Sequence, residues 1–268
     1  MREYRIGDYA HYMGVTPDFL KHYEQFGLVT SKTRENSYRY YPFYQSSNLL
    51  ECMKLRSYGV PLRDMEEILN EDSVEMVHEK LEKRVEAIRR QIAFGQAIME
   101  EYAWFSGWLE RTRDKTGDWH VEEWEEMYFL PHSNGRDFLE DSQIYEVLKD
   151  WVAWMPVVKS CKELRSPDGR EYSWGLIVSA ELARKQGTPI SGVVQRLPRR
   201  KMLFCDFRGS LLKKQENMER EPSERYMQET LNRLGLKVTG SVYKVLLMYS
   251  QIDKAQFREY GFFAVPVD

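Results

Sequence analysis

The sequence predicts an α+β protein with three consecutive parts, and three observations support this prediction. The first seventy residues contain short amphipathic stretches separated by sharp breaks. A heptad-like series of apolar residues begins near Ser73, and strand-like and helical segments alternate beyond Gly117. A chain of 268 residues also exceeds one typical domain. We therefore expect three parts, which span residues 1–71, 72–112 and 117–268.

Composition argues against several classes of protein. Hydrophobic residues make up 42% of the chain and charged residues 30%, which fits neither disordered nor membrane proteins. No apolar run approaches the ~18 residues of a membrane-spanning helix, and the first residues lack the apolar core of a signal peptide. Cys52, Cys161 and Cys205 are too far apart for a disulfide framework or a metal cluster. We expect a cytoplasmic protein with no membrane partner and no metal or other cofactor.

Charge is distributed unevenly along the chain. Residues 1–63 carry nine Lys or Arg against six Asp or Glu, whereas residues 64–112 carry six against twelve. The remaining residues are balanced, and the tryptophans lie beyond residue 103. The basic N-terminal segment is a weak electrostatic indication of nucleic acid.

Residues 6–27 predict two short helices joined by a tight turn. An amphipathic stretch from Ile6 to Met13 ends at Gly14. Thr16 is typical of an N-cap and Pro17 of the first helical position. Gly27 suits the position that follows the second helix.

Residues 30–69 predict a small β-wing and a second pair of helices. Residues 30–41 have no helical period and end in Tyr38-Arg39-Tyr40-Tyr41, which is aromatic and prone to form a strand. The first helix of the pair spans 42–58, and the second spans 61–69. The apolar residues that we expect the first helix to bury are Phe43, Leu49, Leu50, Cys52 and Met53.

A helix from 73 to about 111 is predicted by apolar residues at steps of three and four. They are Val74, Val77, Leu81, Val85, Ile88, Ile92, Gly95, Met99 and Tyr102. A helix so long with one apolar stripe needs a partner helix, and the chain has no second heptad series. We expect the partner to be a second copy of the same helix, and a partner within the chain is the alternative.

Beyond Gly117 the pattern contains a β-α-β-β order twice. The first unit has strands at 123–130, 157–164 and 172–179, a helix at 142–155, and a turn at 166–169. The second has strands within 192–208, 241–249 and 262–267, and a helix at 223–234. Two such units predict a pseudo-two-fold α+β domain with a cleft where its halves meet.

The first seventy residues resemble the MerR family of bacterial transcription regulators. The order and spacing of the matching residues hold across the segment. They are Arg5-Ile6-Gly7, Gly14-Val15-Thr16, Leu20 to Glu24, Gly27-Leu28-Val29, Asn36 to Tyr41, Gly59, Pro61-Leu62 and Ile68-Leu69. The family usually has Arg-Tyr-Tyr where this chain has Lys21-His22-Tyr23, and Gly where it has Ser37.

This resemblance implies a winged helix-turn-helix domain that binds promoter DNA. The helix that starts at Pro17 would enter the major groove, and the wing and following helix would contact phosphates. Tyr23 and Tyr40 could instead be core aromatics, and Asp18 could serve only the helix dipole. The residues that we expect at the DNA are Thr16, Asp18, Lys21, His22, Tyr23, Tyr38, Arg39, Tyr40 and Arg56.

The resemblance also implies how such a protein works. Family members dimerise through an antiparallel coiled coil at the position of residues 73–111. As homodimers they bend and untwist promoter DNA for RNA polymerase when a small-molecule effector binds. Deforming DNA costs on the order of a few kcal/mol, so the effector must bias the protein by a similar amount.

The C-terminal part is similar to the GyrI-like effector-binding domains of multidrug-sensing members. The resembling residues are 203–209, Gly240, Tyr243, Tyr249 and 262–267. Lys244 stands where such domains often have an acid, and this departure weakens the case for a cationic ligand. Asp206, Glu125 or Glu171 could replace that acid, and a neutral aromatic or an anionic effector stays open. We expect a small aromatic or lipophilic effector in contact with Tyr128, Trp151, Trp174, Phe204, Asp206, Tyr243, Tyr249 and Phe263.

Two alternatives stay open beside an effector-responsive activator or repressor. Some GyrI-like domains are hydrolases, but the sequence contains no Ser-His-Asp set, phosphate loop or metal motif, so we do not expect an enzyme. The C-terminal part could also bind a protein, or no ligand. Each aromatic residue named above could be part of a packed core.

Overall fold

The protein was analysed as a computed structural model that describes residues 2–35, 37–70, 72–113, 119–166, 170–212, 222–251 and 256–268. The chain divides into two compact units, residues 1–92 and 93–268. The boundary falls inside the long helix predicted from the heptad series. Each unit is described separately below.

Unit 1 contains short helices and a small sheet. Its elements are β1 (Glu3–Arg5), α1 (Ile6–Met13), α2 (Pro17–Gln25), β2 (Lys32–Thr33), β3 (Arg39–Pro42), α3 (Gln45–Ser57), α4 (Leu62–Asn70) and the start of α5 (Val74–Arg111). Helix α1 ends at Gly14, which has a left-handed conformation. Helix α2 starts at Thr16, whose Oγ1 accepts a hydrogen bond from the amide of Phe19 at 3.1 Å. The helix–turn–helix and the predicted N-cap are therefore confirmed.

The predicted wing is a three-stranded antiparallel sheet. Strand β3 lies between β1 and β2, with Tyr41 opposite Tyr4 and Tyr40 opposite Lys32. Ser37, in the turn between β2 and β3, has a φ of 59°. This is the left-handed region that glycine enters most cheaply.

The core of unit 1 corrects the prediction for α3. The buried residues of this helix are Gln45, Leu49, Cys52 and Leu55. Phe43 precedes the helix and is 62% exposed, and Leu50 is 56% exposed. Leu50 directly follows a buried position, so the 3.6-residue period turns it away from the core.

Helix α5 confirms the long helix, but its apolar stripe is largely uncovered within the chain. Val77 and Leu81 pack against the core of unit 1. In contrast, Ile92, Met99 and Tyr102 are 57%, 65% and 69% exposed. Ala97 and Trp108, on other faces of the helix, are buried in unit 2.

Unit 2 is built on one large antiparallel sheet with α6 and α8 on one side. Its elements after α5 are β4 (Trp119–Trp124), β5 (Met127–Pro131), β6 (Ser133–Asn134), β7 (Asp137–Phe138), α6 (Ser142–Val152), β8 (Lys159–Leu164), β9 (Tyr172–Ser179), α7 (Ala180–Gln186), β10 (Gln195–Leu197), β11 (Arg200–Leu212), α8 (Pro222–Leu234), β12 (Val242–Gln251) and β13 (Gln256–Val265). Strands β6 and β7 form a separate hairpin.

The sheet order is pseudo-symmetric. The eight strands are ordered β10-β5-β9-β8-β12-β13-β11-β4, so the two β-α-β-β series, β5-α6-β8-β9 and β11-α8-β12-β13, are arranged symmetrically about the β8–β12 pair. Gly175 on β9 and Gly261 on β13 occupy equivalent strands. A Cβ at either glycine would lie 2.3 or 2.1 Å from a carbonyl oxygen of the neighbouring strand.

The two faces of the sheet have different coverings. On one face, α6 packs on residues of β5 and β9, and α8 packs on residues of β8, β11 and β13. The other face carries an aromatic cluster that includes Trp124, Phe129, Phe204, Tyr243 and Phe262. The two faces follow from the alternation of side chains along each strand.

The segment predicted as one strand at 123–130 is two strands, and this changes the shape of the sheet. Strand β4 pairs with β11 near one end of the order, whereas β5 pairs with β9 near the other. Only Glu125 and Glu126 connect them, so the Cα atoms of Trp124 and Met127 can be at most about 11 Å apart. The sheet must therefore curl, which forms a concave face.

Other details of unit 2 also differ from the prediction. Helix α7 lies between the two repeats and was not predicted. The helix predicted at 142–155 ends at Val152; it buries Ile144, Val147 and Trp151, and Val152 and Met155 are exposed. The turn predicted at 166–169 lies largely outside the described residues. No described helix combines the length and apolarity needed to span a bilayer.

Candidate nucleic-acid interface and ligand cavity

The exposed residues of α2 form the centre of the candidate interface in unit 1. Thr16, Asp18, Lys21 and His22 are exposed. Lys21 Nζ lies 2.9 Å from Asp18 Oδ1, one turn away on the same helix. The imidazole of His22 contacts Phe26 edge-on, with ring centroids 5.2 Å apart.

The wing is joined to α2 through Glu24. Arg39 Nε donates to Glu24 Oε2 at 2.9 Å, while the hydroxyls of Ser31 and Tyr41 also donate to this carboxylate. This bond uses one of the five N–H donors of the guanidinium. Arg39 is about half exposed, so it presents a positive charge beside α2.

The remaining wing aromatics pair with cations. The guanidinium of Arg5 lies 3.9 Å from the ring centroid of Tyr38, and that of Arg34 lies 4.2 Å from Tyr40. Arg5, Lys32 and Arg34 were not among the predicted site residues. Lys32 and Arg34 precede the aromatic run in the sequence, which was a signal that could have found them, whereas Arg5 reaches the wing only because β1 pairs with β3.

Tyr23 is a correction to the predicted site. Its side chain is fully buried, stacks on Phe19 with centroids 4.1 Å apart, and has a hydroxyl with no partner among the described residues. It is therefore a core aromatic, one of the two interpretations that the sequence allowed. Arg56 on α3 lies over the ring of Phe19 at 5.5 Å, which places this exposed cation beside α2.

Unit 2 contains a cavity of about 400 Å³ on the aromatic face of the sheet. The end of α5 forms one wall through Trp104 and Trp108. Its other lining residues come from the strands and from α7, and they include His120, Trp124, Ile177, Leu182, Phe204, Val245 and Phe262. The rings of His120 and Phe204 are stacked 5.3 Å apart, and Trp124 meets Phe204 edge-on.

The cavity wall contains more acidic than basic residues. Its acids are Glu101, Glu122, Glu123, Glu125 and Asp206, and its lysine and arginine are Lys159 and Arg111. Lys159 Nζ lies 2.7 Å from Glu101 Oε2 and 5.4 Å from the ring centroid of Trp104. Burial, reinforced by the negative charge of Glu181, raises the pKa of Glu125. Aromatic walls with surplus carboxylates suit an aromatic cationic molecule.

Two of the eight predicted effector residues, Phe204 and Asp206, line this cavity. Tyr243 lies in the adjoining aromatic cluster, where its hydroxyl donates to Glu163 at 3.3 Å. Tyr249 is exposed and lies on β12.

The other predicted effector residues lie elsewhere in unit 2. Trp151 and Phe263 are fully buried in cores on the helix-covered face, and Trp151 donates to the carbonyl of Pro189. Tyr128 packs against the same core as Trp151, and Trp174 lies near Lys162. These residues are corrections to the predicted cavity lining: strand alternation directs Tyr128, Trp174 and Phe263 away from the aromatic face, and Trp151 lies on α6, which covers the opposite face.

The residues that sequence reasoning missed are mainly on α5. Trp104 and Trp108 were assigned to the coiled-coil segment rather than to the cavity. These two tryptophans are four residues apart and lie off the apolar stripe that includes Met99 and Tyr102. This pattern was a signal that the helix has a second face in contact with the protein. Among the described residues there is no group of three metal-ligating side chains.

Comparison with known proteins gives one match to a family. Residues 4–72 match the model of the MerR HTH family regulatory protein. No curated protein matches the chain.

Several solved structures match the chain at low identity and low TM-score. The EcmrR–DNA complex from EcmrR-RPo is 14% identical, with a TM-score of 0.37 over 99% of each chain. HiNmlR, a MerR family regulator lacking the sensor domain and bound to promoter DNA, is 18% identical, with a TM-score of 0.32 over 42% of this chain and 95% of that one. A hydrolase from Listeria innocua is 14% identical, with a TM-score of 0.33 over 61% of this chain and 98% of that one. Likeness at this level carries no functional argument. From the family match, the chain carries a MerR-type helix-turn-helix domain at residues 4–72.

Proposed function

We propose that this chain is a transcription regulator that binds promoter DNA as a homodimer and responds to a small aromatic effector. The observation that carries the proposal is the family match of residues 4–72, together with the exposed cations around α2. Lys21, Arg39 and Arg56 would contact phosphates or base edges, and Thr16 would contact a phosphate at the start of α2. Asp18 and His22 flank Lys21 on the exposed side, and Tyr38 and Tyr40 flank Arg39.

The proposed dimer forms through α5. The exposed residues Ile92, Met99 and Tyr102 recur at helical spacing, and so many apolar side chains on one stripe are costly to leave in water. A second copy of α5, in an antiparallel coiled coil, supplies a matching stripe by symmetry. The dimer would present two copies of α2 to successive major grooves.

The proposed effector site is the cavity of unit 2. Its aromatic walls and its surplus of carboxylates favour an aromatic, lipophilic cation. This chain has Lys244 where such domains often have an acid, but the lysine does not remove the preference for a cation. Lys244 lies on the helix-covered side of the sheet, where its Nζ contacts Glu259 at 2.6 Å. Asp206 and Glu125, two of the replacements considered from the sequence, line the cavity instead.

The proposed function is tested by footprinting the DNA upstream of the gene that encodes this chain, followed by transcription in vitro with RNA polymerase. We expect protection of an inverted repeat inside a long promoter spacer, and a change in transcript yield when tetraphenylphosphonium is added. Protection with no change in transcript would contradict the effector response. Absence of any protected sequence would contradict the regulator itself.

A further inference from the structure

The cavity and the end of α5 share a buried hydrogen bond. Trp108 Nε1 donates to Asp206 Oδ1 at 2.7 Å, and both side chains are buried. Both residues also line the cavity. One carboxylate therefore contacts the helix and faces the space where a ligand would bind.

A second residue of β11 holds the same end of the helix. Arg208 donates through Nη2 to the carbonyl of Leu109 at 2.7 Å and through Nη1 to that of Arg113 at 3.3 Å. These carbonyls lie at the C-terminal end of α5, where helical acceptors lack partners in the helix and a positive charge is favourable. Phe204, Asp206 and Arg208 alternate along β11, so their side chains leave the same face of the strand.

We propose that Asp206 is the ligand-sensing residue of the cavity and that it acts by exchanging partners. A cationic ligand that pairs with Asp206 competes with the indole N–H of Trp108. When that bond is lost, Arg208 is the one of these two β11 residues that still holds the end of α5. The helix end therefore loosens. The inference rests on the proposed ligand-binding role of the cavity, and it adds the residue pair that links the ligand to α5.

The competition makes an unusual prediction for the Trp108→Phe variant. Phenylalanine retains an aromatic ring but has no N–H, so the ligand no longer has to displace the Trp108 donor from Asp206. A hydrogen bond to a charged group is stronger than one between neutral groups, and recovery of part of its free energy predicts about three- to tenfold tighter binding of tetraphenylphosphonium. A merely structural role for Trp108 predicts equal or weaker binding.

The experiment is titration calorimetry of tetraphenylphosphonium with the full chain, combined with hydrogen exchange of the amides at residues 105–113. In the wild type, the probe should speed exchange of these amides several-fold. In Trp108→Phe, binding should be tighter, and exchange should be fast with or without the probe. The matched control is Trp104→Phe, which changes an indole on the same wall, one turn earlier, that has no bond to Asp206; its binding should not tighten.

A further variant keeps the test decisive if Trp108→Phe does not fold. Asp206→Asn retains an oxygen that accepts from Trp108 but removes the negative charge, so probe binding should weaken at least fivefold while exchange at the end of α5 stays slow. If Trp108→Phe binds no more tightly than Trp104→Phe, or if Asp206→Asn binds as the wild type does, the exchange of partners is wrong although the cavity is a binding site. If the wild type does not bind the probe, both the cavity's proposed ligand class and the exchange are wrong.

Discussion

Ser37 in the wing has a backbone conformation that is unfavourable for a residue with a Cβ. Its φ of 59° places a residue with a Cβ in a conformation that costs about 1 kcal/mol relative to glycine. Glycine relieves this cost, but it also loses more entropy on folding, which offsets part of the gain. We therefore expect Ser37→Gly to stabilise the wing by about 0.5–1 kcal/mol. Urea denaturation of the full chain measures the change.

The control for this variant is the same replacement at a helical position. Ser57 ends α3, and glycine there should destabilise by a few tenths of a kcal/mol up to about 1 kcal/mol. Equal effects of the two replacements would show that the left-handed conformation of Ser37 is not the cause.

Arg39 is the residue whose role at the DNA is tested most simply. Arg39→Ala should weaken binding to all duplex sequences alike, and the dependence of log K on log salt should flatten by about one phosphate contact. Fluorescence anisotropy at several salt concentrations measures both effects. Arg89→Ala, which removes an exposed arginine from α5, is the matched control. An unchanged salt slope for Arg39→Ala would remove this residue from the interface.

Glu125 gives the cavity a pH dependence with a definite sign. Burial raises the pKa of this carboxyl above its ordinary value of 4.5, so it becomes protonated at a higher pH than an exposed glutamate. Binding of tetraphenylphosphonium should therefore weaken as the pH falls towards this raised pKa from neutrality, because the attracting charge is lost.

The comparison variant is Glu125→Gln, which should bind more weakly near neutral pH and lose this part of the pH profile. The folded protein also takes up this proton more readily than the unfolded chain, so the stability from the protonated group is lost as the pH rises through the raised pKa. If Glu125→Gln keeps the wild-type binding profile, another group controls the pH dependence.

At the scale of elements, the stripe on α5 makes a prediction about assembly. Met99→Glu should weaken self-association by at least about a hundredfold, because symmetry removes two buried methionines, each contributing about 1.5–3 kcal/mol, from one dimer. Sedimentation equilibrium measures the dissociation constant.

Met76→Glu is the matched control because Met76 is exposed on the same helix but lies outside the heptad series. We expect it to dimerise almost as the wild type does. A fully dimeric Met99→Glu variant would contradict the proposed interface.

The elements show how far local sequence predicts this fold. The caps of α2 at Thr16 and Pro17, and the strands β8 and β9, follow from propensity and spacing within a few residues. The split at Glu125 and Glu126 could not be predicted in this way, because two strands that are adjacent in the chain pair at opposite ends of the sheet. That arrangement depends on curvature of the whole sheet, which local pattern does not contain.

The two candidate sites also differ in how far the local sequence predicts them. Residues of the wing and of α2 could be predicted because their motif is contiguous, and Tyr23 is the one buried residue among those predicted for the DNA interface. The cavity was only partly found, since Trp104 and Trp108 reach it from a helix whose heptad pattern indicated another role. Their contribution depends on how the end of α5 packs on β11, which is a tertiary contact.

At the scale of the whole molecule, one helix contributes to the core of unit 1, the exposed stripe and the wall of the cavity. Residues near Val77 belong to the core of unit 1, Met99 belongs to the exposed stripe, and Trp108 belongs to the wall of the cavity. In the proposed function these three roles connect an effector with DNA through a dimer. A ligand must favour one DNA conformation by a few kcal/mol, which is the scale of one or two buried hydrogen bonds.

The most direct test of the account is the mass of the complex between the full chain and a duplex from upstream of its gene, measured by sedimentation velocity with excess unrelated competitor DNA. The account predicts two chains on each duplex and retention of that duplex against competitor. A single chain in solution that shows no preference for the duplex would contradict it.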